Sequence, residues 1–444
     1  MKRRSPRMTI GTCLVLMLTV SAFLSACCPA PTPVEVTKEV VEEVEVTKEV
    51  VKEVVATPTP VPEAPAAPVG ECPETIKIGA VIDVTGPLAA FGAEFTWGFD
   101  HAAEVLNADG GILVEECGKK IPIEMLYGDH AADEQKAVTE MEYLASQGVH
   151  VFSGSTAIMP LGQVVAEKNG IPIVIANGSN TAPFGEGMRY IFSTSWMNNE
   201  MATWPFMLTE YFQMDAPVIG FMEEQNLMGI DYGYYFRQEC VTRQANCVIE
   251  GYQRFAGDFS TQILAFKEAG VDFVYAPMIG PDGMKFWTQM QELDFVPKAI
   301  LQLVAPADRR SWVTLPEFNY VITTNDYHWA TGYPGAAEFD EAYAADHNGE
   351  HATELAGDGY AAIQVIVDAI ERAGTLDPDA LRDAIVATDM VTIKGPIAFY
   401  PNGMPIREYF AVQYIDGVET IIWPADMAET EAVYPFPAWT DPNR

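Results

Sequence analysis

Positively charged side chains are scarce in this sequence of 444 residues. Lysine and arginine together number 26, against 62 aspartates and glutamates, which gives a formal charge of −36 at pH 7. A surface this acidic repels the phosphate backbone of nucleic acids. We therefore expect no nucleic-acid partner, and a ligand with several negative charges is disfavoured for the same reason.

Catalytic motifs are also absent. The sequence contains no G-x-S-x-G, H-E-x-x-H, G-x-x-x-x-G-K-[ST] or G-x-G-x-x-G segment, so the local parts of a serine hydrolase, a metalloprotease or a nucleotide-binding enzyme are missing. His347 and His351 are four residues apart, but Gly349 between them favours an exposed loop over a metal site. We predict that the protein is not an enzyme and uses neither a metal ion nor another cofactor.

Long apolar runs are limited to one, at residues 10–24. Four basic residues precede it between positions 2 and 7, and a basic head before a short apolar run predicts a secretory signal rather than a spanning helix. The sequence LSAC then resembles the bacterial lipobox, in which the cysteine carries lipid. We predict a lipoprotein signal peptide at 1–26 and lipid attachment at Cys27, which would anchor an exported chain to the bacterial cell membrane, facing the periplasm or the exterior. An ordinary signal peptide is the alternative.

Residues 27–72 predict a stalk rather than a folded domain. The segment EVTKEVV occurs at 35–41 and again at 45–51, and five prolines follow between positions 58 and 68. Such low-complexity sequence cannot build a hydrophobic core. Valines spaced four residues apart leave open a weakly oligomerising helix, but valine is a mediocre helix former and we favour a flexible or extended tether.

Cysteine is rare as well. Of seven cysteines, four lie at or beyond position 72: Cys72, Cys117, Cys240 and Cys247. An even number in an exported chain indicates disulfides, and three pairings are formally possible. Cys240 and Cys247 enclose a short polar turn, whereas Cys72 and Cys117 each precede a predicted strand. We predict the bridges Cys72–Cys117 and Cys240–Cys247, with four free thiols as the alternative.

Apolar strands alternate with amphipathic helices over the rest of the chain. The first strand, TIKIGAVIDV, ends in a Thr-Gly-Pro turn and is followed by a helical pattern that stops at Gly110 and Gly111. This unit recurs, and a second set of strands begins after residue 200. Mostly continuous apolar strands indicate parallel sheets covered by helices on both faces. Because the chain beyond residue 72 exceeds the size of one core, we predict an α/β protein with two doubly wound parallel-sheet lobes.

Three segments of the sequence carry a family resemblance. They read IKIGAVIDVTGPLAAFGAEFTWGFDHAAEVLNADGGI at 76–112, YGDHAADEQKAVTEMEYLASQGVHVFSGS at 127–155 and GDGYAAIQVIVDAIERAGTLDPDALRDAI at 357–385. They resemble the periplasmic binding proteins of branched-chain amino acid ABC transporters, which have the type I fold, and the resemblance covers residues 73–420. It implies two lobes joined by a three-segment hinge. The implied boundaries are 73–195 with 328–392 for the first lobe, and 196–327 with 393–444 for the second.

The loops at the ends of the predicted strands of the first lobe offer hydroxyl and amide side chains beside backbone N–H groups. Such loops lie where ligands bind in parallel sheets. The resemblance implies that the loops at 155–156 and 179–181 hold a ligand carboxylate. The candidate residues are Ser155, Thr156, Ser179, Asn180 and Thr181, with Phe91 in the first loop. Helix caps and turns would use the same residue types, which is the alternative.

The second lobe departs from the family pattern. Its loop EEQNLMGIDYG at 223–233 lacks the usual Tyr-Gly step. Asp308 lies near the position of the family's ammonium-pairing carboxylate, and Glu223 is a second candidate for that role. Tyr327, at a predicted crossing between the lobes, could stack on a ligand. Surface solvation of Asp308 and core packing of Tyr327 are the alternatives.

The resemblance implies a lipid-anchored binding protein that captures a small amino-acid-like solute and delivers it to the permease subunits of an ABC importer. The expected partners are therefore the small-molecule ligand, the permease and, through the lipid anchor, the membrane. Two alternatives stay open at this point. One is a ligand-sensing receptor domain of the same fold, and the other is a binder of an amide, a urea-like compound or an aromatic acid.

Overall fold

The structure, a computed structural model, describes residues 72–155, 159–185, 187–278, 281–302 and 318–441. All of them belong to the unit Ala66–Arg444. The predicted signal peptide, the lipid-attachment residue Cys27 and the stalk up to residue 71 lie outside the described residues. Within the described ranges, no helix is both long and apolar enough to cross a bilayer.

Strands and helices alternate along the chain. The strands are β1 (Ile76–Ile82), β2 (Ile112–Val114), β3 (Lys119–Ile121), β4 (Ile123–Asp129), β5 (Val151–Gly154), β6 (Ile173–Ile175), β7 (Ile191–Ser193), β8 (Val218–Glu224), β9 (Asn246–Tyr252), β10 (Phe273–Ala276), β11 (Ala299–Gln302), β12 (Ile322–Asn325), β13 (Asp389–Thr392), β14 (Gly395–Phe399), β15 (Pro405–Arg407), β16 (Phe410–Ile415) and β17 (Val418–Trp423). The helices are α1 (Ala89–Ala108), α2 (Glu134–Ser146), α3 (Met159–Asn169), α4 (Asn198–Met201), α5 (Trp204–Tyr211), α6 (Leu227–Arg243), α7 (Ser260–Ala269), α8 (Pro281–Glu292), α9 (Ala336–Asp346), α10 (Glu354–Ala373) and α11 (Pro378–Val386).

The first sheet is parallel throughout, with the described strands in the order β4-β1-β5-β6-β7. Successive residues of β1 serve opposite faces, so that Ala80 lies in the core with α1 and α10 while Val81 lies in the core with α2 and α3. Both faces are apolar because both are covered by helices. This arrangement confirms the doubly wound lobe predicted from the strand pattern.

The second sheet has the order β17-β16-β12-β11-β10-β8-β9 among the described strands. Strands β8 to β12 are parallel, and β16 and β17 add an antiparallel edge. Helices α5 and α6 cover one face, and α7 and α8 cover the other. The second parallel lobe is therefore confirmed. Strands β16 and β17 pair antiparallel because only the two residues 416–417 join them, whereas parallel neighbours require a long crossover connection.

A small sheet of β13, β14 and β15 lies in the chain order between β12 and β16, two strands of the second sheet. Its strand β14 contributes Ile397 and Phe399 to the core formed by β1, α1 and α10. The next strands, β16 and β17, complete the second sheet. The late part of the chain thus serves both sheets in turn, and the residue-level boundaries of the lobes stay a prediction.

Both predicted disulfides are present. The Cα atoms of Cys72 and Cys117 are 5.8 Å apart, and those of Cys240 and Cys247 are 6.3 Å apart. The first pair meets because β1 and β4 are neighbours. The second pair closes the turn between α6 and β9, which makes the local closure inferred from the sequence correct.

Two glycines of α1 permit the close packing that places the end of β1. A Cβ atom on Gly92 would lie 1.8 Å from the carbonyl oxygen of Asp83, and one on Gly98 would lie 2.1 Å from the carbonyl oxygen of Ala356 in α10. Both distances are far below van der Waals contact, so a larger residue would push the helix away. The glycines therefore fix α1 against the strand end and against α10.

Candidate functional site

The carboxyl ends of the first sheet's strands bring several predicted binding residues to one edge. Ser155 follows β5, and Ser179 and Asn180 lie in the loop after β6; all three are buried. Thr181 continues the same loop and is half-buried. Loops at this edge of a parallel sheet are the usual place for a ligand. Thr156, the remaining hydroxyl candidate, lies outside the described residues.

The predicted aromatic contacts pack against apolar cores. Phe91 in α1 is half-buried against the core of the first sheet. Tyr327, which follows β12, is 2% exposed, and its ring meets that of Phe339 edge-on at 5.5 Å between centroids. Asp308 lies outside the described residues. The roles of Phe91, Tyr327 and Asp308 in ligand binding stay predictions.

A buried histidine lies beside Ser155. His130 follows β4 and is completely buried, and its Nε2 is 3.2 Å from Ser155 Oγ. Its Nδ1 accepts a hydrogen bond from the backbone N–H of Ala132 at 3.1 Å and lies 3.3 Å from Asp83 Oδ1. Burial lowers the pKa of His130 to about 4 and raises the pKa of Asp83 to about 7. Both groups are therefore uncharged in weakly acidic solution, and their contact is not an ion pair there.

A carboxylate from the second sheet's layer reaches the loop after β6. Asp231 of α6 accepts hydrogen bonds from the backbone N–H of Thr181 at 3.1 Å and from its hydroxyl at 2.9 Å. The side-chain amide of Asn198 donates to the same carboxylate at 2.8 Å. Tyr235, one turn further along α6, places its hydroxyl 3.0 Å from that of Thr181. We call this group, Thr181, Asn198, Asp231 and Tyr235, the interlobe clasp.

The interlobe clasp uses the donors that the sequence assigned to a ligand carboxylate. Thr181 was predicted to hold that carboxylate, and in the structure its N–H and hydroxyl hold Asp231 instead. The observation demonstrates that these neutral donors can bind a carboxylate, because charge-assisted hydrogen bonds from backbone N–H groups are strong. Among the described residues, it also identifies Asp231 as a carboxylate from the second sheet's layer that contacts a loop of the first sheet.

Glu223, the second acid considered for the second lobe, is paired with an arginine. Both oxygens of Glu223 accept hydrogen bonds from Arg237, at 2.7 and 2.6 Å. Glu224, the next residue, binds Arg254, with Oε2 3.1 Å from Nη2. The charge of Glu223 is therefore compensated by Arg237 of the same lobe, and both of its oxygens are already hydrogen-bonded.

Several buried polar atoms at the strand ends have no hydrogen-bond partner among the described residues. These atoms are Ser179 Oγ, Ser195 Oγ and both amide atoms of Gln302. Ser179 and Ser195 follow β6 and β7, and Gln302 is the last residue of β11. Unpaired buried polar groups are costly, so each requires an explanation such as a bound molecule. These atoms lie at the carboxyl edges of both sheets and leave hydrogen-bonding capacity unused there.

A cluster of buried charges lies where the predicted crossing segments meet. Lys394 forms ion pairs with Asp358 of α10 and with Asp326, the latter at 2.9 Å from Nζ to Oδ1. Arg407 Nη1 lies 3.0 Å from Asp326 Oδ2. Glu354, at the start of α10, accepts a hydrogen bond from Trp196 Nε1 at 3.2 Å. We call these charged residues, Asp326, Glu354, Asp358, Lys394 and Arg407, the hinge cluster.

The positive and negative charges of the hinge cluster compensate each other. Burial raises the pKa of Glu354 well above its ordinary value, and the neighbouring Asp326 adds to this effect. Burial also favours the neutral form of Asp326, but Arg407 and Lys394 outweigh it and hold the pKa of Asp326 below its usual value. With Glu354 protonated, two carboxylates face two cations. One residue from each predicted crossing segment, Trp196, Asp326 and Lys394, takes part in these contacts.

Sequence reasoning missed His130, Asp231 and the hinge cluster. The position of His130 directly after a strand was a usable signal, because polar residues at that point face the carboxyl edge. Asp231 gave no such signal, since it lies within a helix among residues that read equally well as solvent-exposed. Its role depends on a contact with a residue 50 positions away.

Known sequences and structures resemble this chain over most of its length. A family model described as "Periplasmic binding protein" matches residues 75–418. Leu/Ile/Val-binding protein homolog 8 of Brucella abortus is 27% identical over 383 residues, which span 80% of this chain and 91% of that protein. Homolog 7 from the same organism is 24% identical over 388 residues, or 81% of this chain and 94% of that protein.

Solved structures share the fold at lower identity. The leucine-binding protein LivK of Thermotoga maritima superposes with a TM-score of 0.69 at 20% identity, covering 78% of this chain and 97% of that one. A solute-binding protein of an ABC transporter from R. palustris, in complex with benzoate, gives 0.68 at 16% identity, covering 83% and 98%. LivJ of Streptococcus pneumoniae, in complex with isoleucine, gives 0.66 at 18% identity, covering 81% and 100%.

Proposed function

Because the chain belongs to the periplasmic binding protein family, in the branch that serves branched-chain amino acid ABC transporters, we propose that it captures a small amino-acid-like solute between its two lobes. The solute would then be delivered to the permease subunits of an ABC importer. Members of this family bind and release solutes rather than transform them. The proposal rests first on the buried polar atoms of Ser179, Ser195 and Gln302. These atoms lie at the carboxyl edges of both sheets and have no hydrogen-bond partner among the described residues.

The chemistry of the site favours a ligand with one carboxylate. The first lobe offers the hydroxyl groups of Ser155 and Ser179 without a lysine or arginine among them, so a carboxylate would be held by hydrogen bonds. The backbone N–H of Ser155 is already used, since it donates to the carbonyl oxygen of Val81 at 3.2 Å. Benzoate and isoleucine, the ligands named for two structures of this fold, both carry that group. A ligand ammonium would need an acidic partner in the second lobe, since burying it unpaired is costly. Asp308 is the candidate from the sequence, and Asp231 is the candidate from the structure.

The attachment of the protein to the membrane is part of the same proposal. A lipid on Cys27 would hold the chain on the membrane surface, and the stalk at 27–72 would let the binding lobes move to the permease. The supporting observations are the basic head, the short apolar run and the LSAC sequence. Lipid anchoring suits a binder that must stay near its permease without a spanning helix of its own.

Calorimetry against the twenty amino acids and benzoate tests the ligand class. Protein freed of retained ligand by unfolding and refolding should bind at least one of these compounds. Ser179→Ala should then weaken binding by roughly ten- to a hundredfold, because a hydrogen bond to a charged group contributes about 1.5–3 kcal/mol. Ser146→Ala, at the exposed end of α2, is the matched control and should leave affinity unchanged. Absence of heat from every compound would contradict the proposed ligand class.

The interlobe clasp predicts a measurable shift between open and closed forms. Asp231→Asn keeps the side-chain shape but turns an amide N–H group toward the donors of Thr181 and Asn198. The closed form should therefore become about 1.4 kcal/mol less stable relative to the open form, which lowers its population about tenfold. Small-angle scattering of ligand-free protein should show a larger radius of gyration than for the unmodified chain. Glu268→Gln, an exposed acid on α7, makes the same charge change away from the clasp. Equal radii for the two variants would show that the clasp does not hold the lobes.

A further inference from the structure

The hydrogen bonds around His130 define which ring nitrogen carries the proton. The backbone N–H of Ala132 points at Nδ1 from 3.1 Å, and a backbone amide always carries its hydrogen. Nδ1 must therefore present its lone pair, and the proton of the neutral ring is on Nε2. Nε2 lies 3.2 Å from Ser155 Oγ, so the histidine donates and the serine accepts.

This polarity determines what Ser155 can do. Its oxygen accepts the proton of Nε2, and its own hydroxyl hydrogen must point in another direction. Within the described part of the chain, Ser155 Oγ has no other hydrogen-bond partner than His130. The serine lies at the carboxyl edge of the first sheet, immediately after β5. Its hydroxyl is thus left with a free donor at the proposed binding surface.

The order Asp83, His130, Ser155 is that of a hydrolytic triad, but the proton positions are opposite. In a triad, the histidine nitrogen that faces the serine is unprotonated and removes the serine's proton. Here that nitrogen carries the proton, because the other nitrogen accepts from Ala132. Asp83 Oδ1, at 3.3 Å from Nδ1, cannot orient the ring for catalysis while the amide of Ala132 occupies the same nitrogen. The arrangement therefore serves binding rather than nucleophilic attack.

We propose that His130 is a positioning residue that turns the Ser155 hydroxyl into a fixed hydrogen-bond donor for the carboxylate of the ligand. The inference rests on the proposed function, because it assigns Ser155 to the ligand site. A hydroxyl that rotates freely must be ordered when the ligand binds, and a preorganised donor avoids that cost. His130 reaches this position only because α1 is held against Asp83 and the strands β1, β4 and β5 are neighbours.

The first test is the protonation pattern of the ring, which does not depend on a ligand. Long-range ¹H–¹⁵N correlation spectra of protein labelled at histidine nitrogens should show the Nε2-protonated neutral tautomer for His130 in weakly acidic solution, where His130 and Asp83 are both uncharged. Comparison with His130→Gln identifies the signal among the six histidines of the chain. A ring protonated on Nδ1, or on both nitrogens, would overturn the proposal.

The second test is a double-mutant cycle measured with L-isoleucine and benzoate as probes. Ser155→Ala and His130→Leu should each weaken binding, the first by roughly tenfold. His130→Leu should have no further effect in the Ser155→Ala background, since the histidine acts through the serine. His130→Gln places an amide donor near the position of Nε2 and should recover most of the affinity. Additive losses, or no recovery with glutamine, would contradict a positioning role.

The two tests separate this inference from the proposed function. If benzoate and all twenty amino acids fail to bind, the ligand class is wrong, and the ring spectrum alone decides whether His130 donates to Ser155. If a probe binds and the ring is protonated on Nδ1, the proposed function stands and the role of His130 is refuted.

Discussion

Replacing Lys394 by methionine should lower the free energy of unfolding by about 3–5 kcal/mol. The lysine is the shared cation between Asp326 and Asp358, and all three side chains are almost completely buried. Methionine fills a similar volume but leaves two buried carboxylates with Arg407 as their only cation in the hinge cluster. An uncompensated buried charge is the costly outcome, more than the loss of the ion pair itself.

Denaturant unfolding followed by tryptophan fluorescence measures this effect. Lys298→Met is the matched control, because Lys298 pairs with Asp272 at 2.9 Å but is 55% exposed. An exposed pair contributes about 0–1 kcal/mol. Adding Asp358→Asn to Lys394→Met restores the charge balance and should recover part of the loss. Equal free energies of unfolding for the Lys394 and Lys298 variants would show that charge compensation does not stabilise the hinge cluster. A further decrease on adding Asp358→Asn would show the same.

Removing the Cys72–Cys117 disulfide should destabilise the protein by about 4 kcal/mol, whereas removing Cys240–Cys247 should cost about 2.4 kcal/mol. The difference arises from the length of the closed loops, which separate the paired cysteines by 45 and 7 positions. A longer loop restricts the unfolded chain more. All four cysteines are half-buried, so serine replacements in the two pairs remove comparable contacts.

Paired cysteine-to-serine variants, unfolded in denaturant, give the comparison directly. The Cys72/Cys117 variant should unfold at a lower denaturant concentration than the Cys240/Cys247 variant. The intact protein treated with reductant should match the variant that lacks both bridges. The reverse order of the two variants would show that local packing, and not loop closure, decides the stability that each bridge adds.

The location of several candidate binding residues at one edge of the first sheet could be predicted from sequence, whereas their role in binding stays a prediction. Ser155, Ser179 and Asn180 follow apolar strand runs, and parallel strands necessarily place such residues at one edge. The role of Thr181 was not readable, because its donors bind Asp231, a residue on another lobe. The same holds for His130, whose effect on Ser155 depends on β1 lying between β4 and β5 in the sheet.

Local sequence patterns were enough to predict three features: the α/β class, the two parallel lobes and the closure of the Cys240–Cys247 turn. Apolar periodicity and glycine turns act over a few residues, so one stretch of chain suffices to predict them. The interlobe clasp, the proton position inferred for His130 and the hinge cluster could not be predicted in this way, because they depend on tertiary contacts. These features join residues far apart in the chain, such as Trp196 and Glu354 at a separation of 158 positions. Their energies depend on burial and on hydrogen-bond geometry, which exist only after the lobes have formed.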